Sequence, residues 1–414
     1  MVALFALLAM GLKLPIGVAL MFAAFSGALL GGEGLALRHL IEGSFGYFDT
    51  ILIIVAAMIF MKVLQASGIL DTITALLLKT FYKKKIPLLL TVMFIIMFPG
   101  MITGSSTAAV LSTGALVAPV LIKLGLSKLK AAALIAMGGI LGMLAPPVNI
   151  LVMIMGSGVD MPYIGLTIPL LIIVIPLAIG ISLWLGYRDI QILDREAMTA
   201  LLPESLAKRY GIRLYLPLFI VLLLMISQSL GRSPIPDIGI PAVFLLGSLV
   251  GLVCGRPFNF FKVTQEAVKD AMPILCILAG VGMFIQVMTL TGGRGWTVMS
   301  FLSLPPILLY LGISLSMPLF GAVSAYGSAS ILGVPFILAL IDKNAILTSA
   351  ALSAVAGLGD LMPPTALAGI FAAQVVGEKN YFKVLRYCII PALFELAMGI
   401  GILILSPVIE KWVL

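Results

Sequence analysis

The sequence predicts an all-α polytopic membrane protein, built from two inverted repeats that each have five crossings and one re-entrant hairpin. Hydrophobic residues make up 62% of the 414 residues and charged residues only 10%, with a mean hydropathy of +1.23. Apolar runs of spanning length therefore dominate, and too few charges remain to cover a soluble surface. In addition, the motif Gly-x-x-x-Pro-Pro occurs once in each half, at residues 142–147 and 359–364.

The composition also argues against several classes of function. The single histidine, His39, disfavours a histidine-ligated metal centre and a serine–histidine triad. Cys254, Cys276 and Cys388 are odd in number and lack ligand-like spacing, which disfavours a disulfide framework or a zinc site. The net charge of +8 comes from basic residues scattered over loops, so nucleic acid is not an expected partner. The sequence has no Gly-x-x-x-x-Gly-Lys-Ser/Thr motif, which disfavours a nucleotide-driven pump.

The two Pro-Pro motifs predict helix breaks at membrane depth. The first proline lacks an N–H group and its ring crowds the carbonyl four residues earlier, so the helix cannot continue intact. In hydrocarbon, the freed backbone groups are tolerated only where protein buries them or where they line a water-filled cavity. A proline kink in an ordinary membrane helix is the alternative for either motif alone. Two motifs with the same spelling in matching places favour a binding site.

The first repeat is expected over residues 1–190. Apolar helices are expected within 2–78, followed by a hairpin at 86–122 and a broken helix at 131–155. The hairpin is interrupted at its centre by a segment rich in glycine and hydroxyl groups, and both of its flanks carry lysines. Because positively charged loops stay in the cytoplasm, we expect a re-entrant hairpin that enters and leaves on that side. The alternative is two crossings joined by a short outer turn.

A cytoplasmic linker is expected at 191–213, and the second repeat at 214–414. The second repeat has the same order as the first, with helices within 214–292, a hairpin at 304–341 and a broken helix at 345–377, before a last apolar helix. Since each repeat has an odd number of crossings, the second begins on the opposite side of the membrane. The two repeats are therefore expected to be inverted.

The distribution of lysine and arginine predicts the orientation in the membrane. With the N-terminus outside, 20 of the 25 Lys and Arg residues lie on the cytoplasmic side. The five on the outer side are Arg38, Arg232, Arg294, Lys343 and Lys411. This asymmetry follows the positive-inside rule, and it makes the second hairpin open outward, as an inverted repeat requires.

The hairpin run Thr-Gly-Ser-Ser at residues 103–106, followed by Gly-Met-Leu-Ala-Pro-Pro and by a second Pro-Pro break, carries a resemblance. The sequence resembles the large membrane subunit of tripartite ATP-independent periplasmic (TRAP) transporters, within the ion transporter superfamily, over nearly the whole chain. The resemblance implies an elevator mechanism. In that mechanism a transport domain, made of the two hairpins and the two broken helices, slides against a scaffold of the remaining helices.

The same resemblance implies a function and its partners. It implies uptake of a small organic acid such as a dicarboxylate, with sodium ions as the coupling ions, no other cofactor and no enzymatic activity. A small membrane subunit and a periplasmic substrate-binding protein are the implied partners, in the bilayer of the bacterial inner membrane. Two features depart from the family pattern: the first helix is short, and Asp360 stands where a neutral residue is expected.

The candidate site is an oxygen cage in each half, where a hairpin tip faces a broken helix. Hard cations such as sodium take oxygen ligands, which hydroxyl groups and unwound carbonyls supply. In the first half the candidates are Thr103, Ser105, Ser106 and Asn149, with the backbone around Gly142 and Pro146. In the second half they are Ser324, Gly327, Ser328, Asp360 and Thr365, with the backbone around Gly359 and Met362. For each hydroxyl the alternative is a bond to the backbone of its own helix. The half-helix N-termini after the breaks could face an anionic substrate.

Asp360 is the one acid that the sequence places clearly at membrane depth. An ionisable group there costs about 2.5 to 3.5 kcal/mol, which makes it a functional candidate. We expect it to bind a cation or to carry a proton, and a structural helix cap is the alternative. Glu395 is expected to lie nearer the membrane interface.

Two other functions fit parts of the sequence. The first is a stand-alone ion-coupled carboxylate carrier of the same superfamily. The second is an intramembrane aspartyl protease, because Gly-Leu-Gly-Asp at 357–360 and Pro-Ala-Leu at 391–393 match its motifs. That chemistry needs a second carboxylate, normally as Tyr-Asp in an earlier membrane helix, and the sequence has no such pair there.

Overall fold

The computed structural model describes residues 1–229, 236 and 238–413, and all of the regular secondary structure in these residues is helical. Seven of the described helices are long and apolar enough to span a bilayer. Shorter apolar helices accompany them, among them arms of the second hairpin and of the second broken helix. The predicted all-α membrane fold is therefore confirmed.

The first half contains short helices, one hairpin and one broken helix. A π-helical turn, Leu7–Gly11, extends the first helix, and another, Val110–Gly114, joins α7 to α8. The helices are α1 (Val2–Ala6), α2 (Ile16–Leu30), α3 (Leu37–Phe45), α4 (Phe48–Ala66), α5 (Ile69–Phe81), α6 (Lys85–Thr103), α7 (Ser106–Ala109), α8 (Ala115–Lys123), α9 (Lys128–Leu144), α10 (Ile150–Gly158) and α11 (Thr167–Gly186).

The second half follows a linker that contains two short helices, α12 (Arg195–Leu201) and α13 (Ala207–Tyr210), and a 3₁₀ turn, Gly211–Tyr215. The expected helix end at residues 230 and 231, and Arg232, lie outside the described residues. The remaining helices are α14 (Leu216–Ser229), α15 (Ile240–Cys254), α16 (Phe260–Leu290), α17 (Gly293–Leu302), α18 (Pro306–Gly321), α19 (Ala325–Ser328), α20 (Val334–Ala339), α21 (Ala345–Gly357), α22 (Leu367–Val375) and α23 (Tyr381–Val413).

Each hairpin turns at a serine that caps its second arm. Gly104 has a φ of 63°, a left-handed conformation that glycine adopts without strain, and it ends α6. The Ser105 side chain then accepts a hydrogen bond from Ala108 N at 3.3 Å. In the second hairpin the Ser324 side chain accepts one from Gly327 N at 3.1 Å. The two tips are therefore built by the same capping device, a serine oxygen that satisfies a free N–H of the following helix.

One element differs between the halves. In the first half α3 and α4 are separate helices, with Gly46 and Tyr47 between them. In the second half α16 runs for 31 residues without a break and keeps Pro273 in its interior. The second repeat thus has one continuous helix, α16, where the first repeat has two, α3 and α4.

In each half, one close glycine contact holds the hairpin against the broken helix. An ideal Cβ on Gly142 would lie 2.4 Å from Met97 O in α6, and one on Gly359 would lie 2.5 Å from Gly321 Cα in α18. Both obstacles are backbone atoms, which cannot rotate away. The first residue of each Gly-x-x-x-Pro-Pro motif is therefore fixed by close helix packing.

Contacts between distant segments agree with the predicted orientation. Segments expected on the cytoplasmic side contact one another, and so do segments expected on the outer side. The cytoplasmic contacts are the Lys130–Asp189 ion pair, Gln191 N to Leu124 O at 2.7 Å, Arg256 Nε to Ala66 O at 2.8 Å and Leu206 N to Thr72 Oγ1 at 3.0 Å. The outer contacts are Arg294 Nη2 to Gly158 O at 2.6 Å and Asn344 Nδ2 to Glu410 Oε1 at 3.1 Å.

The inverted topology predicts opposite accessibility for two exposed positions. Single cysteines at Lys84 and Asp342, in a background without the three native cysteines, should react with a membrane-impermeant thiol reagent from opposite sides. We expect Asp342→Cys to be labelled on intact cells and Lys84→Cys only after permeabilisation, because the flanking positive charge keeps Lys84 inside. Labelling of both from the same side would contradict the inversion. Gly321, at the hairpin turn, is unsuitable because a Cβ there would lie 2.6 Å from Gly359 Cα.

Adding a methyl group at either glycine contact should destabilise the protein. Gly142→Ala and Gly359→Ala are each expected to cost about 1 to 3 kcal/mol, because the backbone must shift to make room. Gly180→Ala in α11 is the matched control, since nothing lies within 4 Å of its Cβ position. Thermal unfolding of the detergent-purified variants measures the difference. If all three melted together, the glycine contacts would not hold the hairpins in place.

Candidate functional site

A cavity of about 810 Å³ lies between the tip of the first hairpin, the second helix break and helices of the predicted scaffold. The scaffold side is formed by α4 and α16, which also pack on each other. Five of the predicted site residues line the cavity: Thr103, Ser105, Ser106, Ser324 and Asp360. Eight do not: Gly142, Pro146, Asn149, Gly327, Ser328, Gly359, Met362 and Thr365.

The central contact of the cavity joins the two halves of the chain. Asp360 lies in the 3₁₀ turn Leu358–Leu361, which ends the first arm of the second broken helix, and it is 6% exposed. Its Oδ2 accepts a hydrogen bond from the hydroxyl of Ser106, at the tip of the first hairpin. The carboxylate thus meets the N-terminus of the helix Ser106–Lys123, where free N–H groups favour a negative charge. We expected Asp360 to act with the second hairpin, and instead its hydrogen bond goes to the first.

The two hairpin tips also contact each other directly. Tyr326 in α19 donates its hydroxyl hydrogen to Gly104 O at 3.1 Å. Gly104 precedes Ser105 and Ser106, so this bond fixes the turn that presents both serines to the cavity. Tyr326 was not among the predicted site residues. The sequence does distinguish it, because it is the one aromatic residue in a hairpin tip made otherwise of small and hydroxyl-bearing residues.

Several predicted hydroxyl groups bond to the backbone of their own hairpin. Thr103 Oγ1 donates to Pro99 O at 2.8 Å. Ser328 Oγ donates to Met317 O at 2.7 Å. The alternative considered for each hydroxyl, a bond within its own helix, therefore describes Thr103. Ser328 is fully buried and bonds instead from α19 to the other arm of the hairpin, α18. Thr103 makes such a bond and still lines the cavity.

The first break is closed by Asn149, which caps α10. Its Oδ1 accepts from Val152 N at 3.1 Å, while its Nδ2 donates to Leu144 O at 2.9 Å and to Ser353 Oγ at 3.1 Å. The side chain is fully buried and its amide is engaged on both sides. Asn149 thus joins the two arms of the broken helix, and both to α21.

The second break is tied to the second hairpin. Thr365 Oγ1 donates to Ala322 O at 2.8 Å, just before the serine-capped tip. Met362 N bonds back to Gly359 O at 2.9 Å, and Met362 O accepts from Ala366 N at 3.0 Å. The backbone groups proposed here as ligands are thus partly used within the break itself.

The mouth of the cavity carries charged residues that were not predicted as site residues. Lys62 Nζ lies 2.6 Å from Asp270 Oδ2, so Lys62 forms an ion pair with α16. Asp71 and Lys269 line the same region. The sequence signal was a lone lysine within an apolar run of α4.

Glu395 also departs from expectation. It lies near the middle of α23 and is fully buried, so the prediction that it lies near the membrane interface is wrong. A 33-residue helix extends beyond the apolar run at both ends, which places this residue deeper than its distance from Pro391 suggested.

Comparisons with known proteins identify the chain's relatives. The family model of the tripartite ATP-independent periplasmic transporter, DctM component, matches residues 1–409. This chain belongs to that family. A comparison with the curated proteins finds no match.

Two solved structures share the fold. One is the YdaH transporter of Alcanivorax borkumensis, with a TM-score of 0.67 and 16% identity over 96% of this chain and 98% of that one. The other is MtrF of Neisseria gonorrhoeae, from a class of antimetabolite efflux pumps, with a TM-score of 0.63 and 14% identity over 98% and 94%. At these identities the likeness shows the fold alone.

Family membership confirms the resemblance drawn from the Thr-Gly-Ser-Ser run and the paired breaks. The chain is the large component of a TRAP-type secondary transporter and a multi-pass protein of the inner membrane. Members of the DctM family work with a small membrane subunit and a periplasmic binding protein. A transporter family is consistent with the expected lack of enzymatic activity and gives the protease alternative no support.

Removing the Ser106 hydroxyl should lower the apparent affinity of transport for its coupling cation. Ser106→Ala deletes one neutral oxygen beside Asp360, worth about 0.5 to 1.5 kcal/mol, so the half-maximal cation concentration should rise about two- to tenfold. Ser328→Ala is the control, because its hydroxyl donates to Met317 O and does not line the cavity. Uptake by proteoliposomes at varied sodium concentration gives the comparison. Equal sodium curves for both variants would assign Ser106 a structural role.

Proposed function

We propose that this chain is the permease subunit of a TRAP system that couples uptake of a small organic acid to sodium entry by an elevator movement. The observation that carries the proposal is the contact between Ser106 and Asp360, which places a carboxylate and hydroxyl oxygens from both halves in one cavity. Such a donor set suits a hard cation.

The proposed cation site consists of oxygen atoms that line the cavity. Asp360 supplies the charge, and Ser105, Ser106 and Ser324 supply hydroxyl groups that line the same space. A carboxylate among hydroxyls favours sodium over soft metals, which take thiolate or imidazole ligands. A bound cation would neutralise Asp360 and thereby reduce its repulsion of an anionic substrate.

The proposed substrate site is the remaining space of the same cavity. Its walls are mostly apolar, with Met58, Met61, Leu111 and Phe371 among them, which suits the carbon chain of a small acid. Lys269 lines the cavity and is available to a substrate carboxylate. Lys62 is held by Asp270 and could exchange that partner for the substrate.

The contacts support a moving body of two hairpins and two broken helices. Glycine contacts join each hairpin to its own broken helix, and Tyr326 and Asp360 join the two halves at the tips. The cavity separates this body from α4 and α16 along one face. Lys62 and Lys269 lie at the predicted cytoplasmic ends of these helices, so we infer that the cavity opens inward.

The charge of Asp360 is the sharpest test of the proposed coupling. In Asp360→Asn the amide oxygen can still accept from Ser106, but the negative charge is lost. We expect the half-maximal sodium concentration to rise about ten- to a hundredfold, since an interaction with a charged group contributes about 1.5 to 3 kcal/mol. Uptake of labelled organic acids by proteoliposomes, with sodium and proton gradients imposed separately, measures it. Wild-type dependence on both ions in this variant would remove Asp360 from the mechanism.

The same assay separates the TRAP system from a stand-alone carrier. Uptake should require the small membrane subunit and the substrate-loaded binding protein, added to the outer side. Full uptake of free substrate by the chain alone would favour the stand-alone carrier.

A further inference from the structure

Glu395 is a buried acid that the proposed cation site does not use. Its side chain is 0% exposed, and neither Oε1 nor Oε2 has a hydrogen-bond partner among the described residues. Across 388–406 it is the only Asp, Glu, Lys or Arg. A carboxylate without a partner is not stable in such a place, because burial removes its hydration and nothing replaces it. The group is therefore the neutral acid in this conformation.

Packing places Glu395 at the level of the second helix break. Gly399, one turn further along α23, lies against α21, where its Cβ would be 2.9 Å from Val355 Cγ2. Toward the other end of α23, Tyr381 donates its hydroxyl hydrogen to Leu361 O. Glu395 lies about 6 Å along the axis from Gly399, between these two contacts, and so beside the turn Leu358–Leu361. Asp360 in that turn faces the cavity, whereas Glu395 is enclosed behind it.

No positive side chain in the described part of the chain is placed to neutralise Glu395. The elements that pack most extensively on α23 are α9, α11, α18, α21, α22 and the turn Leu358–Leu361. Their titratable groups are Lys128 and Lys130 in α9, Tyr310 in α18 and Asp360. On α23 itself they are Tyr381, Lys383, Arg386, Tyr387, Cys388, Glu410 and Lys411.

The cationic side chains of α9 and α23 lie too far from Glu395 to form an ion pair with it. Gly357 packs on Leu144, so the level of Glu395 on α9 is about 20 Å from Lys130 along the helix axis. Arg386 precedes Glu395 by nine residues, which puts it about 13 Å away and on the opposite face of the helix. Ion pairing therefore does not explain the acid, and intramembrane acids of this kind mark proton or ion pathways.

We propose that Glu395 is a proton-binding site of the transport cycle, which takes up a proton from the outer side and releases it to the cytoplasm with the substrate. The carboxylate gains the proton on one oxygen and becomes the neutral acid, and it returns to the carboxylate when the proton leaves to water. The proposal rests on the function proposed above, and adds a proton to the cation that Asp360 binds.

Separate gradients test the two sites independently. In proteoliposomes with equal sodium on both sides, an acidic exterior should stimulate wild-type uptake several-fold. Glu395→Gln cannot gain or lose a proton, so the pH gradient should not stimulate it, while a sodium gradient still should. Glu410→Gln, an exposed acid on the same helix, should behave as the wild type does. Asp360→Asn should show the reverse pattern, with stimulation by protons and a weakened response to sodium.

Two outcomes would overturn the proton site. One is a wild-type protein that ignores the pH gradient, and the other is equal stimulation of the wild type and Glu395→Gln. A wild-type protein that ignores the sodium gradient would instead refute the cation site, so the two failures are distinguishable.

If Glu395→Gln does not fold, infrared spectroscopy provides the test by comparing the wild type with Asp360→Asn and Glu395→Asp. The C=O band of a buried carboxylic acid should persist in Asp360→Asn, shift in Glu395→Asp and disappear reversibly at high pH. A band that never titrates, or that is unchanged in Glu395→Asp, would refute the proposal.

Discussion

The fold depends on one constraint: a backbone interrupted at membrane depth must find its hydrogen bonds within the protein. Each break meets part of this requirement through the hairpin of its own half. Val148 N in the first break donates to Met101 O at 3.1 Å, and Thr365 N in the second donates to Ala322 O at 3.4 Å. Each hairpin and the broken helix of its own half are therefore joined by hydrogen bonds as well as by the glycine contacts.

The same geometry stabilises a buried acid at the centre of the molecule. Asp360 meets a helix N-terminus, which contributes up to about 2 kcal/mol. It also accepts the Ser106 hydroxyl, and a hydrogen bond to a charged group contributes about 1.5 to 3 kcal/mol. The insertion cost of about 2.5 to 3.5 kcal/mol is of the same size. The carboxylate is thus tolerated without an ionic partner among the described residues, which leaves its charge available to a cation.

The sequence predicted the helical class and the family, because both depend on local signals such as apolar length and the Pro-Pro breaks. It did not predict which tip meets which break, because that depends on how the two halves dock. Ser106 and Asp360 were each recognised, yet they were assigned to separate cages. Tyr326, Lys62 and the burial of Glu395 were missed for the same reason: their partners or surroundings lie on helices far away in the sequence.

Two motifs with the same spelling have come to differ in what surrounds them. In the first break Pro146 and Asn149 are buried, and the Asn149 amide bonds on both sides, so the break is a closed joint. In the second break Pro364 is exposed and Asp360 borders the cavity. Each repeat must satisfy the backbone groups of its own break, but only the break that keeps access to water can exchange an ion. The duplicated motif therefore determines the helix packing in both halves. The ion-binding groups lie where the tip of the first hairpin contacts the second break.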